Sequence, residues 1–475
     1  MCCFKDGTAY LCPSLDQDIL NAMNGWKIPG IAIGILHENS ATTQRYFGFS
    51  NPEKRTRTSP DTIFAIGSLT KSFTALGLAS QEAKGGIPLN TRIKKFLPFF
   101  PDNINFYHLL SHTAGWPRHD ALWYLNTFTR TSLIKRLSLL PRIAMPGKVF
   151  QYNNIPFAAA ASAYEIFKDQ NWHNWMFETL LKPADMNKTY TRFLKFKYDA
   201  KRASPHFPFT HEKKPIPLRN TDPIAPAAGI YTNIRDMLRY LKLLSNGGKI
   251  DGKQIVPAIA IQKIQTMRTP GYGLGFHIDK WHEHKLVFHS GFIDGYASRL
   301  SLLPTKGTGV IVLSNMSGQT PVTHIISLYI LDCLLNEPRV DWLSYFGKKR
   351  SPQTERKIKY QVKPEKRPRS FYTGVFVNPA YGKIKFSETS DLSALSGTFH
   401  GRNFKLTYTG NDNWRLNQNH WPLREGLLFS FSNPIGNEFL YVKAPIADGP
   451  TYRHNAGPLL FRNNKIGNKH FLDQN

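Results

Sequence analysis

The chain has 475 residues, 41% hydrophobic and 13% aromatic, too apolar for a disordered polymer and long enough for two domains rather than one. Lys and Arg number 61 against 33 Asp and Glu, a formal charge of +28, which favours weak association with anionic polymers or a membrane surface. No nucleic-acid motif accompanies that charge, so a specific nucleic-acid partner is not expected. Cys2, Cys3, Cys12 and Cys333 fit neither a metal spacing nor a disulfide framework, and Cys333 reads as a buried thiol. The longest apolar run, Val322 to Leu335, is broken by His324 and Asp332, too short and too polar to span a membrane. The first residues lack the charged-then-apolar pattern of a signal peptide, so the chain as written is expected in the cytoplasm, and in the periplasm if its true start lies upstream.

In chain order, residues 14–25 read as a helix. Ile28 to His37 reads as an apolar strand covered on both faces, and Thr43 to Phe49 completes a hairpin with it. Phe64-Ala-Ile-Gly67 is β-prone, and Ser68 then opens a stretch of helical periodicity. A glycine- and proline-rich loop region follows. The segment His108 to Pro117 reads as a short helix stopped by glycine and proline, and residues 120–190 as a mostly helical insert. Ile234 to Asn246 is helical. Strands are expected at Gly271–Ile278, Lys285–His289, Gly295–Leu303 and Thr308–Ser314, with a closing helix at Thr320–Leu335. Strands at both ends with helices between predict an α+β domain over residues 10–337, its antiparallel sheet assembled from both ends of the segment. Residues 338–369 read as a basic linker, with ten Lys or Arg against two Glu between Lys348 and Arg369. Residues 370–475, with short alternating runs, predict a small all-β domain.

Ser68 and Lys71 fall three apart on a helical face, which puts an amine one turn from a hydroxyl. A serine becomes a nucleophile when a neighbouring base takes its proton, and its own N–H at a helix start can face a developing oxyanion. A second Ser-x-x-Lys, Ser132 to Lys135, lies on an amphipathic helix with a basic solvated face and reads as structural. After the Pro146-Gly147 turn, Tyr152 and Asn154 point to one side of an extended segment, a phenol for proton exchange and an amide for Lys71 and a substrate carbonyl. The Tyr-x-Asn pairs at Tyr124 and Tyr231 read as packing tyrosines. His289-Ser-Gly291 ends a strand; Gly291 leaves room for substrate backbone, and the Phe292 N–H is a second oxyanion donor. His282 and His284, with His277 and His289, are conceivable zinc ligands, but His282-Glu-His284 lacks the His-x-His-x-Asp pattern, Leu286 standing in the last place, and reads as a polar hairpin turn.

Ser68-x-x-Lys71, Tyr152-x-Asn154 and His289-x-Gly291, in that order, resemble the penicillin-recognising serine hydrolases: class C β-lactamases, low-molecular-mass penicillin-binding proteins, and related esterases and D-aminopeptidases. Ile28-Pro-Gly-Ile-Ala-Ile, Leu109 to Pro117 and Ala227-Ala-Gly-Ile-Tyr strengthen the likeness, which covers roughly residues 14–336. It implies a β-lactamase/transpeptidase-like fold and a serine hydrolase that forms an acyl-enzyme on a β-lactam, ester or D-amino-acid amide. Small molecules or peptides would be its substrates, and it would need neither cofactor nor metal. The alternative is a non-catalytic cell-wall peptide or penicillin-binding protein of the same fold. Many β-lactamases have Lys-Thr-Gly where this chain has His-Ser-Gly. If His289 takes that lysine's part, its charge should tune recognition of carboxylates as pH changes.

Overall fold

The computed structural model describes residues 14–124, 127–208, 214–317, 320–348, 367–391 and 393–416, with the strands at 4–5, 8–9, 428–432, 441–444 and 459–463. It divides into two compact units. One comprises Met1–Gly115, Met145–Phe150 and Asn154–Gln353; the other comprises Trp116–Ala144, Gln151–Asn153 and Thr354–Asn475.

The first unit is built on a seven-stranded antiparallel sheet. In chain order its strands are β1 (Gly30–His37), β2 (Ala41–Asn51), β3 (Thr56–Arg57), β4 (His277–Trp281), β5 (His284–Ile293), β6 (Tyr296–Leu303) and β7 (Thr308–Ser314). Their spatial order is β4-β5-β6-β7-β1-β2-β3. The two ends of the segment meet where β7 pairs with β1, Val310 opposite Ile35 and Val312 opposite Ile33. The flanking helices are α1 (Leu15–Trp26), α2 (Thr70–Ala83), α3 (Ile155–Lys168), α4 (Ile234–Ser245) and α5 (Val322–Leu335). Alternation along β1 explains why the strand is apolar throughout. Ile31, Ile33 and Ile35 join a core with Ile19 and Met23 of α1 and Ile325, Ile326 and Ile330 of α5. On the other face α4 lies so close that a Cβ on Gly34 would come 2.8 Å from Leu238.

The expected strand from Gly271 starts six residues later, at His277. Gly271 and Gly275 have φ of +76° and +71°, a left-handed backbone that glycine adopts without strain and that breaks a strand. Gly275 is also packed on α2, where a Cβ would lie 2.7 Å from the Lys71 carbonyl. Cys333 differs from expectation as well: it is disulfide-bonded, its partner lying outside the described residues. Of the expected basic linker, residues 349–366 lie outside the described residues; its first part is not linker, because Trp342–Lys348 is a helix whose Trp342, Leu343 and Phe346 pack on the core shared by α1 and α5. His282 turns the β4–β5 hairpin at φ +49° and sits 3.3 Å from Asp332.

The second unit contains a closed antiparallel barrel: β8 (Gly374–Asn378), β9 (Gly382–Glu388), β10 (Ala394–Phe399), β11 (Arg402–Gly410), β12 (Asn413–Leu416), β13 (Leu428–Ser432), β14 (Tyr441–Ala444) and β15 (Leu459–Asn463). Phe376 of β8 pairs with Asn463 of β15 and closes it. Buried side chains at every second position, such as Ile384 and Phe386, or Phe404, Leu406 and Tyr408, fill the interior. The helices Ala121–Tyr124 and Arg130–Ser138 belong to this unit, whereas α3 belongs to the first.

Several buried histidines make stability depend on pH. Burial lowers His119 and His277 to about 4 and His324 to about 3, with the Arg299 charge adding to it for the last two. Each stays neutral in the folded chain until well below 6.5. Between pH 6.5 and about 4 the unfolded chain therefore binds more protons, and stability falls as pH falls. The His119 shift alone corresponds to about 3 kcal/mol. Tm is expected to drop steeply between pH 7 and 4.5; a Tm flat over that range would contradict the burial of these rings.

Candidate active site

The short strand Phe64–Ala65 pairs with Tyr231–Thr232 and delivers the chain into a one-turn 3-10 helix, Gly67–Leu69, that runs directly into α2. Ser68 sits in that turn. Gly67 makes the turn possible: its φ is +51°, and a Cβ there would lie 2.8 Å from the backbone nitrogen of Phe292. No side chain other than hydrogen fits.

α2 is held on several sides. Thr70 Oγ1 accepts from the Ile230 N–H at 3.1 Å, Thr74 Oγ1 donates to the Pro226 carbonyl at 2.7 Å, and the Tyr240 hydroxyl donates to Ser72 Oγ at 3.0 Å. Tyr240 also stacks on Phe73, ring centroids 3.7 Å apart. These contacts fix where Lys71 emerges.

Lys71 is wholly buried, 0% exposed. Its Nζ donates to Asn154 Oδ1 at 2.6 Å and to the Ala227 carbonyl at 3.0 Å, and lies 3.0 Å from Ser68 Oγ. The Asn154 amide oxygen and the Ala227 carbonyl can only accept, so each engages an N–H of the amine. A further tetrahedral position of the amine faces the serine hydroxyl. In the neutral amine that position is a lone pair, the geometry a base needs to receive the Ser68 proton. Asn154 reaches Lys71 from the N-terminal end of α3, where its side chain makes no helix cap.

The other expected site residues fall as follows. Tyr152 lies in the second unit, partly buried, with the Arg118 guanidinium 5.2 Å from its ring centroid. His289 is 2% exposed on β5. Its Nδ1 lies 2.6 Å from the Ser290 carbonyl, which only accepts, so Nδ1 carries a hydrogen; Nε2, 3.1 Å from the Tyr272 hydroxyl, is then the acceptor. Burial first, then the charges of His277, Lys71 and Arg299, lowers its pKa well below 6.5. The lowering is in the direction that its charged surroundings, Lys71 among them, predict, and it favours the neutral ring with both nitrogens engaged. Arg299 is nearby but on the opposite side of the sheet, opposite Ser290 in register and donating to Ser290 Oγ at 3.0 Å.

Gly291 is also required by packing. A Cβ there would lie 1.8 Å from the Ile66 carbonyl, which also accepts from Ser298 Oγ at 2.7 Å. The Cβ direction at Gly291 is filled by the chain leading to Ser68. The consequence is that the Phe292 N–H is brought up against Gly67, one residue from the nucleophile candidate.

Ser132 and Lys135 do not form a comparable pair: Ser132 Oγ accepts from Arg136 Nε at 3.4 Å and Lys135 is exposed. Tyr231 is a packing residue, stacked on Phe196 with its hydroxyl on Thr221, and Tyr124 packs against Trp123. Sequence reasoning missed two participants. The Ala227 carbonyl is a backbone group with no signature of its own. Tyr272 sits seventeen residues before its partner His289, beyond any motif spacing.

An open antiparallel sheet in which the first and last strands pair at the middle, with a central helix headed by Ser68 and Lys71, is the β-lactamase/transpeptidase fold, here followed by a C-terminal β-barrel. The Beta-lactamase family model matches residues 15–332, and the chain belongs to that family, whose members are generally serine hydrolases. It is similar to the unguisins hydrolase ungD' of Aspergillus campestris (strain IBT 28561), 25% identical over 422 residues that cover 78% of this chain and 77% of that one. It is also 25% identical over 332 residues to protein flp of Staphylococcus aureus (strain COL), covering 64% of this chain and 63% of flp. The chain thus spans less than two thirds of flp. Among solved structures, the octameric penicillin-binding protein homologue from Pyrococcus abyssi matches with a TM-score of 0.64 and 23% identity, over 94% of this chain and 99% of that one.

Proposed function

We propose that the chain is a serine acyl hydrolase acting through an acyl-enzyme on a β-lactam, ester or D-amino-acid amide carbonyl. One observation carries the reading: the buried Lys71 amine, held by Asn154 and the Ala227 carbonyl, faces Ser68 Oγ at 3.0 Å. Ser68 Oγ attacks the carbonyl carbon as its proton passes to Lys71. The N–H groups of Ser68 and Phe292 donate to the oxyanion, and Tyr152 relays the proton to the leaving group. Water then cleaves the acyl-enzyme by the reverse proton path. That a relative is named a hydrolase supports the reading.

A hydrolysis screen of a chromogenic short ester, a D-amino-acid amide and nitrocefin tests it. Ester turnover is expected to be the fastest, because an ester has a better leaving group than an amide. Penicillin capture without turnover of any of the three would favour a binding protein of the same fold.

The neutral, engaged His289 sets a pH expectation. The ratio of kcat/KM for a carboxylate-bearing ester to that for a matched neutral ester should stay level between about pH 6 and 8, because His289 carries no charge in that window. A ratio that falls through about pH 6.5 would show an imidazolium at work and overturn this assignment.

A further inference from the structure

The second unit joins the barrel to Trp116–Ala144 and Gln151–Asn153, so it contains Tyr152. Within it, the turn Arg118-His119-Asp120 runs from the barrel to that tyrosine. On the barrel side, Tyr381, in the connection between β8 and β9, is fully buried, and its hydroxyl lies 3.0 Å from Nδ1 of the buried His119. Tyr381 is itself fixed: its N–H donates to Asn378 Oδ1 at 3.0 Å, and its carbonyl lies 2.8 Å from His400 Nε2. Arg136 reinforces the same connection by donating to the Ala380 carbonyl at 2.7 Å.

On the other side, the Arg118 guanidinium lies over the Tyr152 ring. Its Nε donates to the Asp120 carboxylate, and Asp120 accepts from Trp123 Nε1 at 2.8 Å. The residue after Tyr152 is tied to the same turn, since Asn153 Nδ2 donates to the Pro117 carbonyl at 2.7 Å. The tyrosine is thus held by its neighbour's amide and faced by a guanidinium whose own direction is fixed.

We propose that the C-terminal barrel is a positioning domain for Tyr152, with Tyr381 holding His119 and thereby fixing Arg118 over the tyrosine ring. The inference rests on the reading above, in which Tyr152 moves the proton. A cation at the ring favours the phenolate over the phenol, and it restrains where the hydroxyl points. Asp120 offsets part of that charge. His119, which burial keeps neutral down to about pH 4, adds none at working pH. Arg118 and Tyr381 act through Tyr152 and touch no substrate in this scheme.

The test compares Tyr152→Phe, Arg118→Gln, Arg118→Lys and Tyr381→Phe in the full chain. Readouts are kcat, KM and the pH profile of ester turnover, with thermal melting as the check on folding. Tyr152→Phe should lower kcat about 100-fold or more and remove one limb of the pH profile. Arg118→Gln should move that same limb to higher pH by about one unit and lower kcat about tenfold with KM little changed. Arg118→Lys should restore most of both. Tyr381→Phe removes a single hydroxyl and should act in the same direction, about threefold. If Tyr152→Phe is slow but Arg118→Gln and Tyr381→Phe leave kcat and the limb unmoved, the positioning role is wrong and the proposed function stands. If Tyr152→Phe turns over at the wild-type rate, the assignment of Tyr152 itself fails. A lower Tm for Tyr381→Phe with kcat and pH profile unchanged would make the Tyr381–His119 contact purely structural.

Discussion

Replacing Ser68 with alanine is expected to abolish ester turnover, with kcat/KM falling by at least about 1,000-fold and by as much as about a million-fold. The loss is that large because no other group takes over a covalent step. Lys71 can still hold a proton, and the N–H groups near Gly67 can still polarise a carbonyl, but no acyl bond can form. Folding should be little affected, since Ser68 is partly exposed at the mouth of a turn that Gly67 and Leu69 already fix. Ser132→Ala is the matched control. Its hydroxyl accepts from Arg136 and its helix partner Lys135 is exposed, so turnover should stay within twofold of wild type. Activity that survives in Ser68→Ala and vanishes in Ser132→Ala would mean the wrong serine has been chosen.

Lys71→Met should produce the second largest effect, and it should reach stability as well as rate. Methionine is close to lysine in length but donates no hydrogen bond. The base is lost, which should lower kcat about 100- to 10,000-fold. Asn154 Oδ1 and the Ala227 carbonyl also lose the donor each has in the buried site. Leaving a buried acceptor without that donor costs about 1–3 kcal/mol, so Tm should fall with the activity. Thermal melting and steady-state kinetics on one preparation separate the two losses. A Lys71→Met variant with wild-type kcat would remove lysine from the reaction.

Much of this site is legible in the sequence where side chains carry the signal. Ser68, Lys71 and Asn154 are polar groups at fixed spacings beside turn residues, and they meet in space. The sheet was legible for a related reason: β1 is apolar on both faces, which predicts cover on both sides, and helices lie on both. What could not be read was decided by packing between distant segments. The Ala227 carbonyl is invisible as a residue type. That Gly291 packs on the Ile66 carbonyl is likewise invisible in the sequence and follows from the close approach of β5 to the Ser68 turn. The charge of His289 depends on burial and on Tyr272 and His277, which arrive from a loop and an adjacent strand. Local pattern likewise placed residues 120–144 with the helical insert, yet contacts group them, together with Trp116–His119, with the barrel, because His119 and Arg136 bond to Tyr381 and Ala380.

The central claim is that Ser68 becomes covalently acylated. Its most direct test is to incubate the full chain with a fluorophosphonate or a fluorescent penicillin, digest it, and map the adduct by mass spectrometry. The account predicts one modified site, Ser68, at near-stoichiometric occupancy, with labelling lost in Ser68→Ala and slowed about 100-fold or more in Lys71→Met. An adduct on any other residue, or equal labelling of wild type and Ser68→Ala, would contradict it.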